Sequence, residues 1–351
     1  MTKRRMLTTR TVASLLLVGG LFSASMSVLA EDQAAAASPP PEGKLEMFGD
    51  IGDFVPGVVD DPVHDPTLFE DRNVYYVFST GIFNPDDPGG IFARRSTGTL
   101  EGPWESLGAI ALPEWTRAYG VNHLWAPHVV ERDGVFYLYY AASSFGSNTS
   151  AIGAARTRTP GDLDSWVDLG PILTSDPSVD YNAIDPMVFE DRDLWWIAFG
   201  SFWDGIKLQQ LEDMTTPVGP IYSLARHPDN PPNPIENAQI FRQGQYYYLL
   251  ASWDFCCRGT ESTYKTIVGR ATSVTGPYLD REGVPLADGG GTIILERRGN
   301  QVGTGAPDVL WEFGRWYMVH HYYDADANGV IRMQIREIEW DDGWPFFSPD
   351  S

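Results

Sequence analysis

The 351-residue sequence predicts an all-β chain, and more narrowly a five-bladed β-propeller. From about Lys44 onward, apolar runs of roughly 4–8 residues alternate with clusters of Gly, Pro, Asp and Asn, while helical periodicity is scarce. The 35 Gly and 26 Pro suit a chain of many tight turns. One two-strand unit also recurs five times, with room in each interval for two further strands.

In the first copy, Val63-His64-Asp65-Pro66-Thr67-Leu68-Phe69 leads through the polar turn Glu70-Asp71-Arg72-Asn73 into Val74-Tyr75-Tyr76-Val77-Phe78. The second pairs Trp125-Ala126-Pro127-His128-Val129-Val130 with Val135-Phe136-Tyr137-Leu138-Tyr139. The third pairs Ile184-Asp185-Pro186-Met187-Val188-Phe189 with Leu194-Trp195-Trp196-Ile197-Ala198. The fourth runs from Ile235-Glu236-Asn237-Ala238-Gln239 to Tyr246-Tyr247-Tyr248-Leu249, and the fifth from Ala306-Pro307-Asp308-Val309 to Trp316-Tyr317-Met318-Val319. Pro66, Pro127, Pro186, Ala238 and Pro307 are equivalent, at intervals of 61, 59, 52 and 69 residues.

In a propeller the first strand of each blade lines the central channel, so the strand starts converge. Those starts carry Asp65, Ala126, Asp185, Glu236 (one residue early in strict alignment) and Ala306. Three carboxylates at one mouth suggest acid–base hydrolysis of a glycosidic bond, one ionised to activate water and one protonated to assist the leaving group. A single Asp is more often a turn residue or strand cap; Asp65 and Asp185 stand apart because each precedes Pro at the same point of a repeat. Among 12 Trp, most belong to the core, and Trp125 and Trp203 are the candidates for stacking on a sugar. His320 and His321 near Asp324 could hold a cation, but no HExxH or regular His/Cys spacing accompanies them. No GxSxG elbow and no strand-linked GxGxxG is present.

The amino terminus reads as a secretory signal peptide over residues 1–30: Lys3, Arg4 and Arg5, an apolar stretch from Val12 to Leu21, then small residues up to Ala30. Residues 31–44 read as a low-complexity linker, and 45–351 as the propeller domain. Secretion or export to a periplasm is expected. The net charge of −22 becomes about −26 without the leader, which disfavours nucleic acid and anionic membrane and favours a neutral polymer. A monomer is expected. Cys256 and Cys257 are adjacent, and two readings stand: a vicinal disulfide, or two unpaired buried thiols.

The segments Val63-His64-Asp65-Pro66, His123-Leu124-Trp125-Ala126-Pro127, Phe145 to Gly153, Asn182-Ala183-Ile184-Asp185-Pro186, Gly200-Ser201-Phe202-Trp203, Ser252 to Gly259, Val268-Gly269-Arg270, Thr275-Gly276-Pro277-Tyr278 and Trp340 to Pro345 together resemble the arabinan-degrading branch of glycoside hydrolase family 43. The resemblance implies a five-bladed propeller and an inverting hydrolase of α-1,5-linked L-arabinan. It makes Asp65 the general base, Glu236 the general acid, and Asp185 the residue that orients the acid and keeps its pKa raised. His64, Asn182 and Ser201 become substrate or water contacts, and Trp125 and Trp203 sugar platforms. Endo action is expected, with exo action, an arabinofuranosidase or xylosidase, or a weak sugar-binding propeller as alternatives. The loop from Asn84 to Gly90 is a candidate wall closing one end of a cleft.

Three departures stand out. The sequence has Glu236-Asn237-Ala238-Gln239 where the family has Glu-Ala-Pro-Phe, and Pro127-His128 where the family has Pro-Asp. The fifth blade opens Gly305-Ala306-Pro307-Asp308 instead of Gly-His-Asn-Ser, whose His helps hold a central calcium in relatives. With Ala306 there, no metal ligand is assigned and no cofactor is expected to be required; strand alternation is expected to turn Asp308 to a different face.

Overall fold

The computed structural model describes residues 62–81, 89–121 and 123–348. The segments expected to be a leader (1–30) and a linker (31–44), and most of the loop from Asn84 to Gly90, lie outside the described residues. All described residues fall within one compact unit, Ala36–Ser351.

Five antiparallel sheets follow one another along the chain. Blade 1 comprises β1 (Thr67–Asp71), β2 (Val74–Ser79), β3 (Ile91–Thr97) and β4 (Glu105–Ile110). Blade 2 comprises β5 (Trp125–Arg132), β6 (Val135–Ala142), β7 (Ser150–Thr157) and β8 (Val167–Ser175). Blade 3 comprises β9 (Met187–Asp191), β10 (Leu194–Phe199), β11 (Ile206–Leu211) and β12 (Pro217–Ala225). Blade 4 comprises β13 (Ile235–Gln243), β14 (Tyr246–Trp253), β15 (Lys265–Ala271) and β16 (Thr292–Leu295). Blade 5 has three long strands, β17 (Gln301–Glu312), β18 (Arg315–Asp324) and β19 (Val330–Glu337), followed by the small hairpin β20 (Glu339–Asp341) and β21 (Trp344–Phe346). The predicted five-bladed propeller is the observed fold.

Four of the five inner hairpins share a turn. Arg72-Asn73, Asp133-Gly134, Arg192-Asp193 and Phe313-Gly314 each place two consecutive residues at positive φ, the conformation whose twist matches paired antiparallel strands. The ring closes where Val63 N–H donates to Ile331 O of β19 at 3.0 Å, so the segment entering blade 1 also borders blade 5.

Between consecutive blades lie separate apolar cores. Phe78 and Leu138 join blades 1 and 2, Tyr139 and Phe199 blades 2 and 3, Leu208 and Leu249 blades 3 and 4, Leu250 and Met318 blades 4 and 5, and Val77 and Val319 blades 5 and 1. Each is buried, and removing a ring such as Phe199 would cost about 3–5 kcal/mol. These contacts hold the blades in a closed ring and so fix where the inner strands begin.

Candidate active site

Every blade enters its first strand through a residue in the left-handed region: Asp65 (φ 48°), Ala126 (40°), Asp185 (55°), Asn237 (52°) and Ala306 (50°). Such a conformation costs an L-residue roughly 1–2 kcal/mol, and here it is imposed five times at one level of the ring. These five residues, with Pro66, Pro127, Pro186, Ala238 and Pro307 after them, line a small axial cavity. The fourth member is therefore Asn237, and Glu236 lies just before it. A residue so twisted directs its N–H away from its own ladder, and the preceding blade supplies an acceptor. Ala126 N–H donates to Thr80 Oγ1 (2.9 Å), Ala306 N–H to Ser252 Oγ (2.8 Å) and Asp65 N–H to His321 Nδ1 (3.1 Å).

Asp65 is buried and well held. Its Oδ2 accepts from Thr80 Oγ1 at 2.6 Å and lies 2.7 Å from His64 Nδ1. Behind it runs a chain of contacts: Cys257 N–H donates to Tyr323 Oη (2.8 Å), which lies 2.9 Å from His64 Nε2, and His64 Nδ1 in turn faces Asp65. Burial alone would raise the pKa of this carboxyl; His64, His321 and the Thr80 hydroxyl outweigh it and bring it to about 2.

Asp185 and Glu236 belong to adjacent blades and move the other way. Glu236 Oε2 accepts from Ser201 Oγ and Oε1 from Tyr264 Oη, both at 2.6 Å. Burial raises its pKa and the Asp65 charge adds to this, against the lowering effect of the two hydroxyls. Asp185 accepts one backbone bond, from Asn237 N at 3.2 Å, and is raised well above the ordinary range by burial, then by Glu236 and Asp65. The influence expected of Asp185 on the acid is thus mutual: the two carboxyls titrate as a pair, and Asp185, with fewer donors, is the poorer anion. The site combines one ionised carboxylate on blade 1 with a proton-retaining pair on blades 3 and 4.

The predicted contact residues divide. Trp125 and Trp203 remain part-exposed, with Trp125 Nε1–H donating to His123 Nε2 at 2.9 Å. His64 is buried and both its ring nitrogens are engaged, so it holds Asp65 and Tyr323 and offers no free atom to a sugar. Ser201 donates to Glu236. Asn182 is buried and accepts from Ser150 Oγ at 2.6 Å, tying blade 3 to blade 2. Sequence reasoning missed Thr80, Tyr264, His321 and Tyr323. A hydroxyl near the end of the second strand in four blades (Thr80, Ser143, Ser201, Ser252) was a readable signal. Tyr264, in the loop between β14 and β15, had none.

Cys256 and Cys257 form a disulfide, which decides between the two readings, and Cys257 Sγ lies 3.9 Å from His64 Nε2. His320 is a core histidine: Nδ1 lies 3.0 Å from His321 O, Nε2 accepts from Arg336, and burial depresses its pKa to about 3.

The residues at the axis do not fit a calcium ion, which takes about six to eight oxygen ligands. Ala306 offers no side-chain donor. Asp308 is buried and turned toward blade 1, and it is not among the residues that line the axial cavity. Its oxygens are already used: Oδ2 accepts from Thr67 Oγ1 (2.7 Å) and Leu68 N (2.8 Å), and Oδ1 from Val309 N (2.8 Å), with His128 Nε2 3.9 Å away. His64 and His321 near Asp65 likewise have their facing nitrogens engaged.

Comparison with known proteins decides the family. The model for glycosyl hydrolases family 43 matches residues 56–345. The chain belongs to family 43. An extracellular endo-α-(1→5)-L-arabinanase of Bacillus subtilis (strain 168) is 38% identical over 299 residues, covering 83% of this chain and 89% of the relative. Among solved structures, an exo-1,5-α-L-arabinanase from a bovine ruminal metagenomic library superposes with a TM-score of 0.77 at 37% identity, covering 83% of this chain and 98% of its own. An endo-arabinanase of Bacillus licheniformis gives 0.75 at 39% identity, covering 82% and 98%. This family 43 chain is accordingly a glycoside hydrolase of the arabinanase branch. Among the described residues, no helix is long and apolar enough to cross a membrane.

Proposed function

We propose that this hydrolase cleaves α-1,5-L-arabinofuranosidic bonds within arabinan by an inverting mechanism. The observation that supports this most is the opposed setting of buried carboxyls at one mouth, Asp65 held ionised and the Asp185–Glu236 pair held toward the protonated form. Asp65 takes a proton from water as its oxygen attacks the anomeric carbon, and Glu236 gives its proton to the departing O5. Asp65 then holds the proton that solvent must exchange, and Glu236 is reprotonated for the next turnover. Asp185 shares its titration with Glu236, so that the pair gives up its protons late and the acid keeps its proton until the leaving oxygen claims it. Trp125 and Trp203 supply apolar faces for arabinofuranose rings. The carboxylates act without a metal ion.

The likeness to arabinanases and an acidic charge balance, which suits a neutral polymer, support this substrate. Two of the three relatives named above are endo-acting and one exo-acting, and endo action is the reading adopted here. Residues 1–30 serve as a secretory leader and 31–44 as a linker to a propeller domain over 45–351, which works outside the cell as a monomer.

A product profile on linear debranched arabinan tests the reading, with arabinoxylan and xylan as controls. Mixed oligosaccharides early in the reaction support endo cleavage. A single product from the outset means exo action, and no product on any polymer leaves only a sugar-binding role. Asp65→Asn should abolish turnover while still binding arabinan; unchanged turnover removes Asp65 from the mechanism.

A further inference from the structure

Asn237 occupies the ring position held elsewhere by Ala126 and Ala306, which adopt the same left-handed backbone. The turn therefore does not require a polar side chain there. This side chain is nonetheless engaged. Its Nδ2 donates to Tyr264 Oη at 3.1 Å, and Tyr264 O–H donates to Glu236 Oε1 at 2.6 Å. The backbone N–H of the same residue donates to Asp185 Oδ2 at 3.2 Å. One residue thus contacts Asp185 directly through its backbone and reaches Glu236 through Tyr264. Tyr264 is buried, and its ring rests on β17 at Gly305, where a Cβ would stand 2.3 Å from Tyr264 Cδ1. The tyrosine is aimed by packing and then held at its hydroxyl by Asn237.

We infer that Asn237 is a positioning residue for the acid: through Tyr264 it fixes the hydrogen bond on Glu236 Oε1 and so sets how readily Glu236 releases its proton. This rests on Glu236 being the acid. A hydroxyl that accepts a hydrogen bond becomes a stronger donor, so the Asn237 amide strengthens the Tyr264 bond to the carboxylate form of Glu236. The other groups facing Glu236 are Ser201 and Asp185 from blade 3, Asp65 and His64 from blade 1, and Tyr323 from β18, with His321 stacked on Tyr264. Asn237→Ala leaves all of them in place, together with the backbone donor to Asp185.

The test is the pH dependence of kcat/KM on linear arabinan for wild type, Asn237→Ala, Asn237→Gly (which tolerates the left-handed backbone), Tyr264→Phe and the Asn237→Ala/Tyr264→Phe double variant. The alkaline limb reports the acid of the free enzyme. Loss of the amide should move that limb upward by roughly 0.1–0.7 pH unit, the share of a charge-assisted bond owed to cooperativity. Tyr264→Phe should move it further in the same direction, and the double variant no further than Tyr264→Phe. A limb unmoved in both Asn237 variants, or an equal additional shift in the Tyr264→Phe background, overturns the proposal. Glu236→Gln tests the underlying reading separately. It should lose arabinan turnover yet retain turnover of an arabino-oligosaccharide with a nitrophenol leaving group, which needs no proton. Equal loss on both substrates, or full activity on arabinan, removes Glu236 as the acid and the proposal with it.

Discussion

Thr80→Val isolates one determinant of the proposed base, Asp65. Thr80 Oγ1 gives its proton to Asp65 Oδ2 and accepts the N–H of Ala126, so the isosteric valine removes a donor from the carboxylate and orphans a buried amide. A hydrogen bond to a charged group contributes about 1.5–3 kcal/mol. At ~1.36 kcal/mol per pH unit, the Asp65 pKa should rise by about one to two units. The acidic limb of kcat/KM, governed by Asp65 at about 2 in the wild type, should then appear near pH 3–4. The wild-type shift also has a stability consequence. Asp65 is lowered from 3.8, so its ionised form favours the fold by on the order of 2 kcal/mol above pH 3.8, and that contribution is lost as pH falls through about 2. The variant should forfeit much of this and pay about 1–3 kcal/mol for the unpaired Ala126 N–H, lowering Tm by several degrees. The assay is initial rate on debranched arabinan from pH 2.5 to 7, with melting followed at each pH and Thr80→Ser as the variant that restores the hydroxyl. An acidic limb in Thr80→Val that stays with the wild type, while the protein remains folded, would refute this account of how Asp65 is kept ionised.

Three further outcomes are expected. Gly305→Ala should push the Tyr264 ring off Glu236, lowering kcat at least tenfold with a smaller change in KM; a normal rate would show that the ring can move without consequence. Asp308→Ala should orphan Thr67 Oγ1 and Leu68 N at the junction of blades 5 and 1, destabilising the protein by about 2–4 kcal/mol in urea melts, and a loss below about 0.5 kcal/mol would count against it. Chelation should leave activity and melting temperature nearly unchanged, because Ala306 offers no side-chain ligand and the Asp308 oxygens are occupied. A large drop in either would mean that other groups hold a metal.

The repeat was legible in the sequence because a propeller writes each blade locally: an X-Pro entry, an apolar run, a turn with room for two positive φ values, and an aromatic partner strand. Those features arise between neighbours in the chain, so Asp65, Asp185 and Glu236 could be picked out by counting from one copy to the next. The one-residue offset of Glu236 was visible too, though its meaning was not: the ring position belongs to Asn237, and the proposed acid lies just outside it.

What tertiary structure decided was the assignment of partners. The family resemblance made His64 and Ser201 substrate or water contacts; in the fold His64 binds Asp65 and Tyr323, and Ser201 binds Glu236 from the neighbouring blade. Nothing local to Asp308 showed that its carboxylate would be taken up by Thr67 and Leu68 of blade 1. Tyr264 carried no local mark and His321 was weighed only as a cation ligand, since their roles come from approaching Glu236 and Asp65 across blade boundaries. The sequence by itself determined the blades and the three carboxyls, because these follow from local periodicity. Their ionisation states and supporting hydrogen bonds come from burial and from groups up to 256 residues away, which only closure of the ring brings together.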